Sequence, residues 1–178
     1  TRLVDGTEIK LDRWVMVDGH LRTSHPDVYA AGDVATVFDP MLQAHVPTRT
    51  WEPCYWGGRI AGENMAGHSR QYVPCTMMNA SLVYDLKYVL MGGFLATGPV
   101  VETIVDDSPL GQYGYRKLLV KDDVIVGGTF IEDRRHFMAY RQLMQTRVKL
   151  GEFKDRLLKP DFDPNLCLPA GGMDYYFF

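Results

Sequence analysis

Gly32 and Asp33 are the residues with the clearest chemical potential, and they follow the short apolar run Val28–Ala31. The run predicts a short buried strand, and a glycine after it lets a ligand approach the backbone closely. In an open α/β sheet, ligands bind at the carboxyl ends of the strands. A carboxylate at that edge is well placed to accept hydrogen bonds from ligand hydroxyls, such as those of a polyol chain. An isolated Gly-Asp pair is more typical of a simple turn, so the flanking residues decide between the two interpretations.

A helix is predicted over residues 50–65, and its first turn contains further candidate residues. Thr50 is suited to cap the helix, and Glu52 suits the positive end of the helix dipole. Pro53 is tolerated there because an early N–H has no intrahelical partner. Gly67 is a stop signal for the helix.

Two strands joined by a turn are predicted over residues 10–33, before this helix. Trp14–Val17 is the first apolar run, Asp18-Gly19 is the turn, and Val28–Ala31 is the second run. Residues 34–49 contain prolines and no sustained period, which predicts a loop.

The whole segment Thr23–Val34 resembles the second flavin-binding motif of the pyridine-nucleotide-dependent FAD oxidoreductases. In that family a Thr, a Pro, an apolar-Tyr-Ala-Ala run and Gly-Asp occur in this order. The resemblance implies that Gly32 and Asp33 contribute to FAD binding, with the aspartate holding the ribityl chain. Residues 56–67 look like the family's following helix, whose start faces the flavin ring. By that resemblance, the Thr50-Trp51-Glu52 turn presents backbone N–H groups to the pyrimidine edge, where a positive helix end stabilises the reduced flavin.

Plain core packing explains the helix equally well when it is considered alone, since Gly58 and Gly62 would permit a close neighbour. Downstream residues resemble the carboxy-terminal domain of the same family, nearest to NADH oxidases, rubredoxin reductases and the flavin portion of nitrite reductases. There, the apolar stretches 115–120 and 124–131 predict a β-hairpin, and the spacing over 134–150 predicts an amphipathic helix.

The predicted fold therefore combines α/β and α+β parts. Residues 1–70 are interpreted as the terminal piece of an FAD-binding Rossmann-like domain. Residues 75–150 are interpreted as a small antiparallel-sheet-plus-helix C-terminal domain of the kind that forms a dimer or partner interface. Residues 151–178 are predicted to form an irregular tail.

Neither dinucleotide fingerprint is present, because no two glycines are separated by a single residue and the fingerprint needs Gly-x-Gly-x-x-Gly. The resemblance places the amino-terminal FAD segment and the NAD(P)H domain upstream of Thr1. We therefore interpret the chain as a fragment, inactive alone, of an FAD-dependent NAD(P)H oxidoreductase that passes electrons through flavin to an acceptor. Its expected partners are those upstream domains and either a second copy or a redox partner protein. The alternative is a non-catalytic dimerisation or interaction module with an incomplete flavin site.

Composition and charge argue against several other classes of protein. The 178 residues include 19 basic and 22 acidic ones, and the net charge of −3 argues against a nucleic-acid module. No apolar run approaches the roughly 20 residues that cross a bilayer. That absence predicts no membrane association. No metal-ligand spacing is found among the histidines or the widely spaced Cys54, Cys75 and Cys167, so we predict no metal site. The same cysteine spacing predicts a reducing, cytoplasmic compartment. Cys54 is either activated by the helix dipole or an inert packed side chain, and the second is favoured.

Overall fold

The computed structural model describes residues 2–39, 43–96, 98, 101–106 and 112–168. It divides into two compact units, Thr1–Met77 and Met78–Phe178. The first unit is a small α/β arrangement, and the second is an antiparallel sheet with one helix. This mixture confirms the predicted fold class.

A four-stranded sheet and one helix build the first unit. The strands are β1 (Leu11–Asp12), β2 (Trp14–Met16), β3 (Ala35–Asp39) and β4 (Ala44–Pro47), in that spatial order. β2 and β3 run parallel, and the other two pairings are antiparallel. The predicted helix is confirmed as α1 (Trp51–Met65). Apolar side chains from the sheet, the helix and the loops form one buried cluster, which comprises Val15, Val17, Leu21, Ala35, Val37, Ala61 and Tyr72.

The loop predicted over residues 34–49 is wrong, because this segment contains β3 and β4. The first three residues of β3 are all buried, so the segment lacks the apolar–polar alternation that identifies a half-exposed strand. β3 lies between β2 and β4 in the sheet, which explains this burial. Pro47 is the last residue of β4, an edge position where proline is tolerated.

The strand predicted over Val28–Ala31 is also wrong. Tyr29 makes one isolated β-bridge with Arg22, and a single bridge does not form a ladder. The segment is half-buried rather than buried. Gly32 then adopts a φ of 78° and opens the short 3₁₀ turn Gly32–Val34. Asp33 therefore follows a bridged extended segment rather than a true strand.

Five antiparallel strands build the sheet of the second unit. They are β5 (Met78–Val83), β6 (Leu86–Gly92), β7 (Val101–Val105), β8 (Tyr115–Lys121) and β9 (Val124–Ile131). The spatial order is β5-β6-β9-β8-β7. The predicted hairpin is confirmed as β8 and β9, and both aspartates of its turn have positive φ, as a tight hairpin turn requires.

The predicted amphipathic helix is present as α2 (Phe137–Thr146) and is shorter than the predicted 134–150. His136 and Arg147 flank it with φ values of 58° and 55°, and these left-handed residues end the helical geometry on both sides. The inward face of α2 contributes five buried residues, which are Ala139, Tyr140, Arg141, Leu143 and Met144.

The described residues after α2 pack through short 3₁₀ turns, Gly151–Arg156 and Pro164–Cys167. Leu157, Leu158 and Phe162, between these turns, are buried. The aromatic end of the chain, which the sequence places at the close of an irregular tail, lies outside the described residues.

Arg116 on β8 is buried, with 2% of its surface exposed, and it holds this segment in place. Its Nη2 donates a hydrogen bond of 2.6 Å to the Leu158 carbonyl oxygen. Its Nε donates to Asp106 Oδ2 at 2.8 Å and lies 3.2 Å from Asp133 Oδ2. A buried charge is tolerated only when it is paired and hydrogen-bonded, and this guanidinium meets both conditions.

Candidate functional site

Gly32 and Asp33 lie beside the first turn of α1, and Cys54 makes the connection. The Cys54 sulfur is 3.3 Å from Asp33 Oδ1 and 3.0 Å from the Thr48 carbonyl oxygen, so the thiol can donate to either acceptor. The Thr48 hydroxyl donates a hydrogen bond of 2.7 Å to the Gly32 carbonyl oxygen. These contacts tie the Gly-Asp turn to the residues that enter the helix.

The Asp33 carboxylate is exposed, so it has oxygen lone pairs available to an outside hydroxyl. Burial of Cys54 raises the pKa of its thiol, and the hydrogen bond and charge of Asp33 raise it further. This direction is opposite to the lowered pKa of a reactive thiol at a helix start. The raised pKa favours the protonated thiol, which donates its single proton to the Asp33 carboxylate or to the Thr48 carbonyl oxygen.

Thr50 occupies the N-cap position of α1, as the sequence predicts, but the predicted capping by its hydroxyl is wrong. Its side chain makes no capping hydrogen bond, and its φ of 83° is an unusual conformation for a β-branched residue. The Thr50 hydroxyl oxygen is buried and has no hydrogen-bond partner within the described part of the chain. A buried hydroxyl without a partner costs free energy and calls for an explanation, such as a bound group that completes it.

Trp51 and Glu52 begin the helix, as the sequence predicts. The Trp51 indole is 77% exposed and stacks on Tyr55, with 5.3 Å between ring centroids and 10° between planes. Glu52 is half-buried. The first N–H groups of any helix point out of its end, and the helix dipole makes that end positive. An acceptor oxygen or a negative charge is favoured there.

Among the five sequence-predicted residues, Gly32 and Asp33 contact α1 through Cys54, and Thr50, Trp51 and Glu52 form its first turn. Thr48 was missed. It has no distinguishing sequence signal, because its role depends on a contact to a carbonyl oxygen 16 residues earlier. How these residues contact a ligand stays a prediction.

The residues present fit the flavin that the family resemblance implies. The exposed Asp33 carboxylate is the right acceptor for sugar-alcohol hydroxyls, and the Thr50 hydroxyl still has hydrogen-bonding capacity. The helix end is suited to an electron-rich ring edge.

The described ranges contain neither a candidate metal centre nor a candidate membrane-spanning helix. No group of three or more His, Cys, Asp or Glu side chains there could hold a metal ion. None of the helices in those ranges has the length and apolar character needed to span a membrane.

The chain matches no protein-family model. It is 27% identical over 160 residues to the pyridine nucleotide-disulfide oxidoreductase domain-containing protein 1 of Rattus norvegicus, covering 85% of this chain and 32% of that protein. It is 37% identical over 78 residues to an NADH oxidase of Lactococcus lactis subsp. cremoris, covering 44% of this chain and 18% of the oxidase.

A solved structure of an FAD-dependent pyridine nucleotide-disulphide oxidoreductase from Desulfovibrio vulgaris has the same fold. The TM-score is 0.72 at 17% identity, with 94% of this chain and 44% of that chain covered. The chain thus spans about a third of the length of the curated relatives that it matches most fully. These likenesses confirm the family resemblance seen in the sequence: the chain is similar to part of a pyridine nucleotide-disulfide oxidoreductase.

Proposed function

We propose that the chain is the part of an FAD-dependent NAD(P)H oxidoreductase that binds the ribityl chain and the pyrimidine edge of the flavin. The observation that carries this proposal is the Thr50 hydroxyl at the start of α1, which is buried and has no hydrogen-bond partner among the described residues. The same helix turn contains Cys54, whose thiol contacts Asp33. The relatives support it, because they are named as a pyridine nucleotide-disulfide oxidoreductase and an NADH oxidase.

When bound, the flavin supplies the hydride and electron transfer chemistry between NAD(P)H and an acceptor. Asp33 accepts hydrogen bonds from the ribityl hydroxyls. The Cys54 thiol lies 3.3 Å from Oδ1 of that carboxylate and can donate to it, which favours one orientation of the carboxylate, and the raised pKa of the thiol favours the protonated donor. The first turn of α1 presents N–H groups and the positive end of its dipole to the ring, which favours negative charge there.

The remaining parts of the activity belong to other residues of a longer protein. The curated relatives are about three times as long as the region matched here. We assign the NAD(P)H site to that remaining length, and we propose that this chain alone does not turn over. A cytoplasmic location stays a prediction.

The direct test is FAD retention by the intact protein as its gene encodes it. Asp33→Asn keeps the shape of the side chain and removes its charge, while Asp27→Asn changes an exposed carboxylate in the preceding loop. Hydrogen bonds to a charged group contribute about 1.5–3 kcal/mol, so Asp33→Asn should weaken FAD binding by about tenfold or more. Equal retention of FAD by Asp33→Asn and Asp27→Asn would contradict the role of Asp33.

Variants at Thr50 provide a second, independent test of FAD binding. Thr50→Ser keeps the hydroxyl, and Thr50→Val removes it with little change of volume. We expect the serine variant to retain FAD and the valine variant to bind it more weakly. Equal affinities would show that the buried hydroxyl does not contact the flavin.

A second candidate function, interaction with a second copy of the chain, is favoured by the edge strand β5. Five of its six residues are exposed, and the apolar side chains at its end are exposed by 60% at Leu82 and 52% at Val83. Residues 78–84 include no charge, although edge strands usually carry charges that prevent pairing. Sedimentation should show a dimer that Leu82→Lys dissociates, and a monomer at every concentration would remove this candidate.

A further inference from the structure

Trp14, on β2 of the first unit, has two arginine side chains stacked on its ring. The guanidinium carbons of Arg13 and Arg49 each lie 4.8 Å from the centroid of the Trp14 ring. They are therefore at most twice that distance apart. Both arginines are exposed, while Trp14 is half-buried. One rigid indole thus positions two cationic groups at the surface.

These two arginines differ from the other arginines that stack on aromatic rings in the described part of the chain. Each of the other three also has a polar partner for its guanidinium. Those partners are the Tyr29 hydroxyl at 3.0 Å from Arg22, Glu63 at 3.0 Å from Arg59, and Asp161 at 3.5 Å from Arg156. In contrast, no described carboxylate oxygen lies within 4 Å of either guanidinium on Trp14, and no described side chain or carbonyl accepts a hydrogen bond from them.

Two like charges on one ring repel each other, and the arrangement has a second unfavourable element. Arg13 has a φ of 59°, a left-handed conformation that is uncommon for residues other than glycine. Each guanidinium carries five N–H donors in a planar fork that matches phosphate oxygens. An anion that contacts both guanidinium groups would offset the repulsion between them. It would also accept hydrogen bonds from N–H groups that have no acceptor within the described chain.

We propose that Arg13 and Arg49 form a binding site for a diphosphate group. Two phosphate centres in one ligand suit two guanidinium groups that one indole keeps near each other. The proposal does not depend on flavin binding, since among the described contacts neither arginine pairs with Asp33 or donates to the Thr50 hydroxyl.

The test is a titration of the 178-residue chain with inorganic pyrophosphate at low ionic strength, followed by the NMR signals of the arginine Nε–H groups. Arg13→Gln and Arg49→Gln assign the two signals and remove one guanidinium each. Arg59→Gln is the matched control, because Arg59 also stacks on a tryptophan but already pairs with Glu63. Circular dichroism checks that each variant is folded.

We expect saturable shifts of the Arg13 and Arg49 signals, with affinity lowered about fivefold by each glutamine variant and unchanged by Arg59→Gln. Equal binding of orthophosphate and pyrophosphate overturns the assignment to a diphosphate. ADP distinguishes the sources of the ligand. Tighter binding of ADP than of pyrophosphate identifies a nucleotide as the source, and equal binding identifies a free diphosphate. Equal binding of succinate overturns the assignment to phosphate chemistry. Small, unsaturable shifts of all exposed arginines overturn the site itself, since they would report only general screening.

Discussion

Arg116 donates a hydrogen bond of 2.6 Å to the main-chain carbonyl oxygen of Leu158, 42 residues later in the chain. The same guanidinium contacts the buried carboxylates of Asp106 and Asp133. One side chain therefore joins the sheet of the second unit, the turn before α2 and the segment after it. The stability of this unit should depend strongly on that side chain.

We expect Arg116→Leu to lower the free energy of unfolding by about 3–5 kcal/mol, because it removes the guanidinium that pairs with the buried carboxylates of Asp106 and Asp133. The measurement is urea unfolding followed by circular dichroism. Arg134→Leu is the control, since Arg134 is exposed, and it should change the stability by less than about 0.5 kcal/mol. Similar effects of the two variants would show that the buried network contributes little.

Gly127 should not tolerate a side chain, because its strand lies against the backbone of Gly93 and Phe94. A Cβ at Gly127 would be 2.8 Å from the Gly93 carbonyl oxygen and 2.9 Å from the Phe94 nitrogen. Main-chain atoms cannot move aside as a flexible side chain can, so Gly127→Ala should destabilise the chain by about 1–3 kcal/mol. Thermal unfolding measures the change.

Gly58→Ala should instead increase the stability of the chain, and it serves as the comparison for Gly127→Ala. A Cβ at Gly58 meets nothing within 4 Å, and this position is in the middle of α1. Alanine is favoured over glycine there by about 0.5–1 kcal/mol, because it loses less backbone entropy on folding. A destabilising Gly58→Ala would show that the outer face of α1 is covered.

Cys54 should react slowly with alkylating reagents near pH 8. Burial, reinforced by Asp33, raises the pKa of this thiol, so less of the reactive thiolate is present than in a free cysteine. Asp33→Asn should lower the pKa and speed alkylation, while Asp27→Asn should not. The pH–rate profile with iodoacetamide, in a Cys75→Ser and Cys167→Ser background, gives the result. An unchanged profile in Asp33→Asn would contradict the contact between Cys54 and Asp33.

Asp133 should make the second unit sensitive to acid. Burial acts to raise the pKa of this carboxyl, but hydrogen bonds from Arg135 and the charge of Arg116 outweigh burial and lower the pKa. A lowered pKa in the folded state stabilises the fold above the unfolded-state pKa, and this stabilisation is lost as the pH falls through the folded-state pKa. The stability difference between the wild type and Asp133→Asn should therefore be largest above about pH 5 and shrink as the pH falls below about 4. A constant difference across that range would contradict the lowered pKa.

Local patterns predicted the elements that depend on local contacts. The helix stop at Gly67 is correct, and its φ of 93° shows why glycine was required. The β8–β9 hairpin was predictable because apolar runs flank a turn whose two aspartates tolerate positive φ. The segment of β3 was not recognised, because its buried residues do not alternate and its neighbour β2 lies about 20 residues earlier.

The candidate site was only partly predictable for the same reason. The order of residues around Asp33 identified the motif, but not the contact from Cys54, which lies 21 residues away. Residue type suggested that Thr50 caps a helix. The structure instead gives Thr50 a positive φ, which no propensity of a β-branched residue would predict.

The contacts of Tyr140 and Arg116 also determine where this chain can be shortened. The Tyr140 hydroxyl donates to the Leu157 carbonyl oxygen, as Arg116 does to that of Leu158. A chain that ends at the C-terminus of α2 would lack both carbonyl acceptors. It would also lose the buried side chain of Phe162. A truncated version that is meant to fold should therefore extend at least to Cys167.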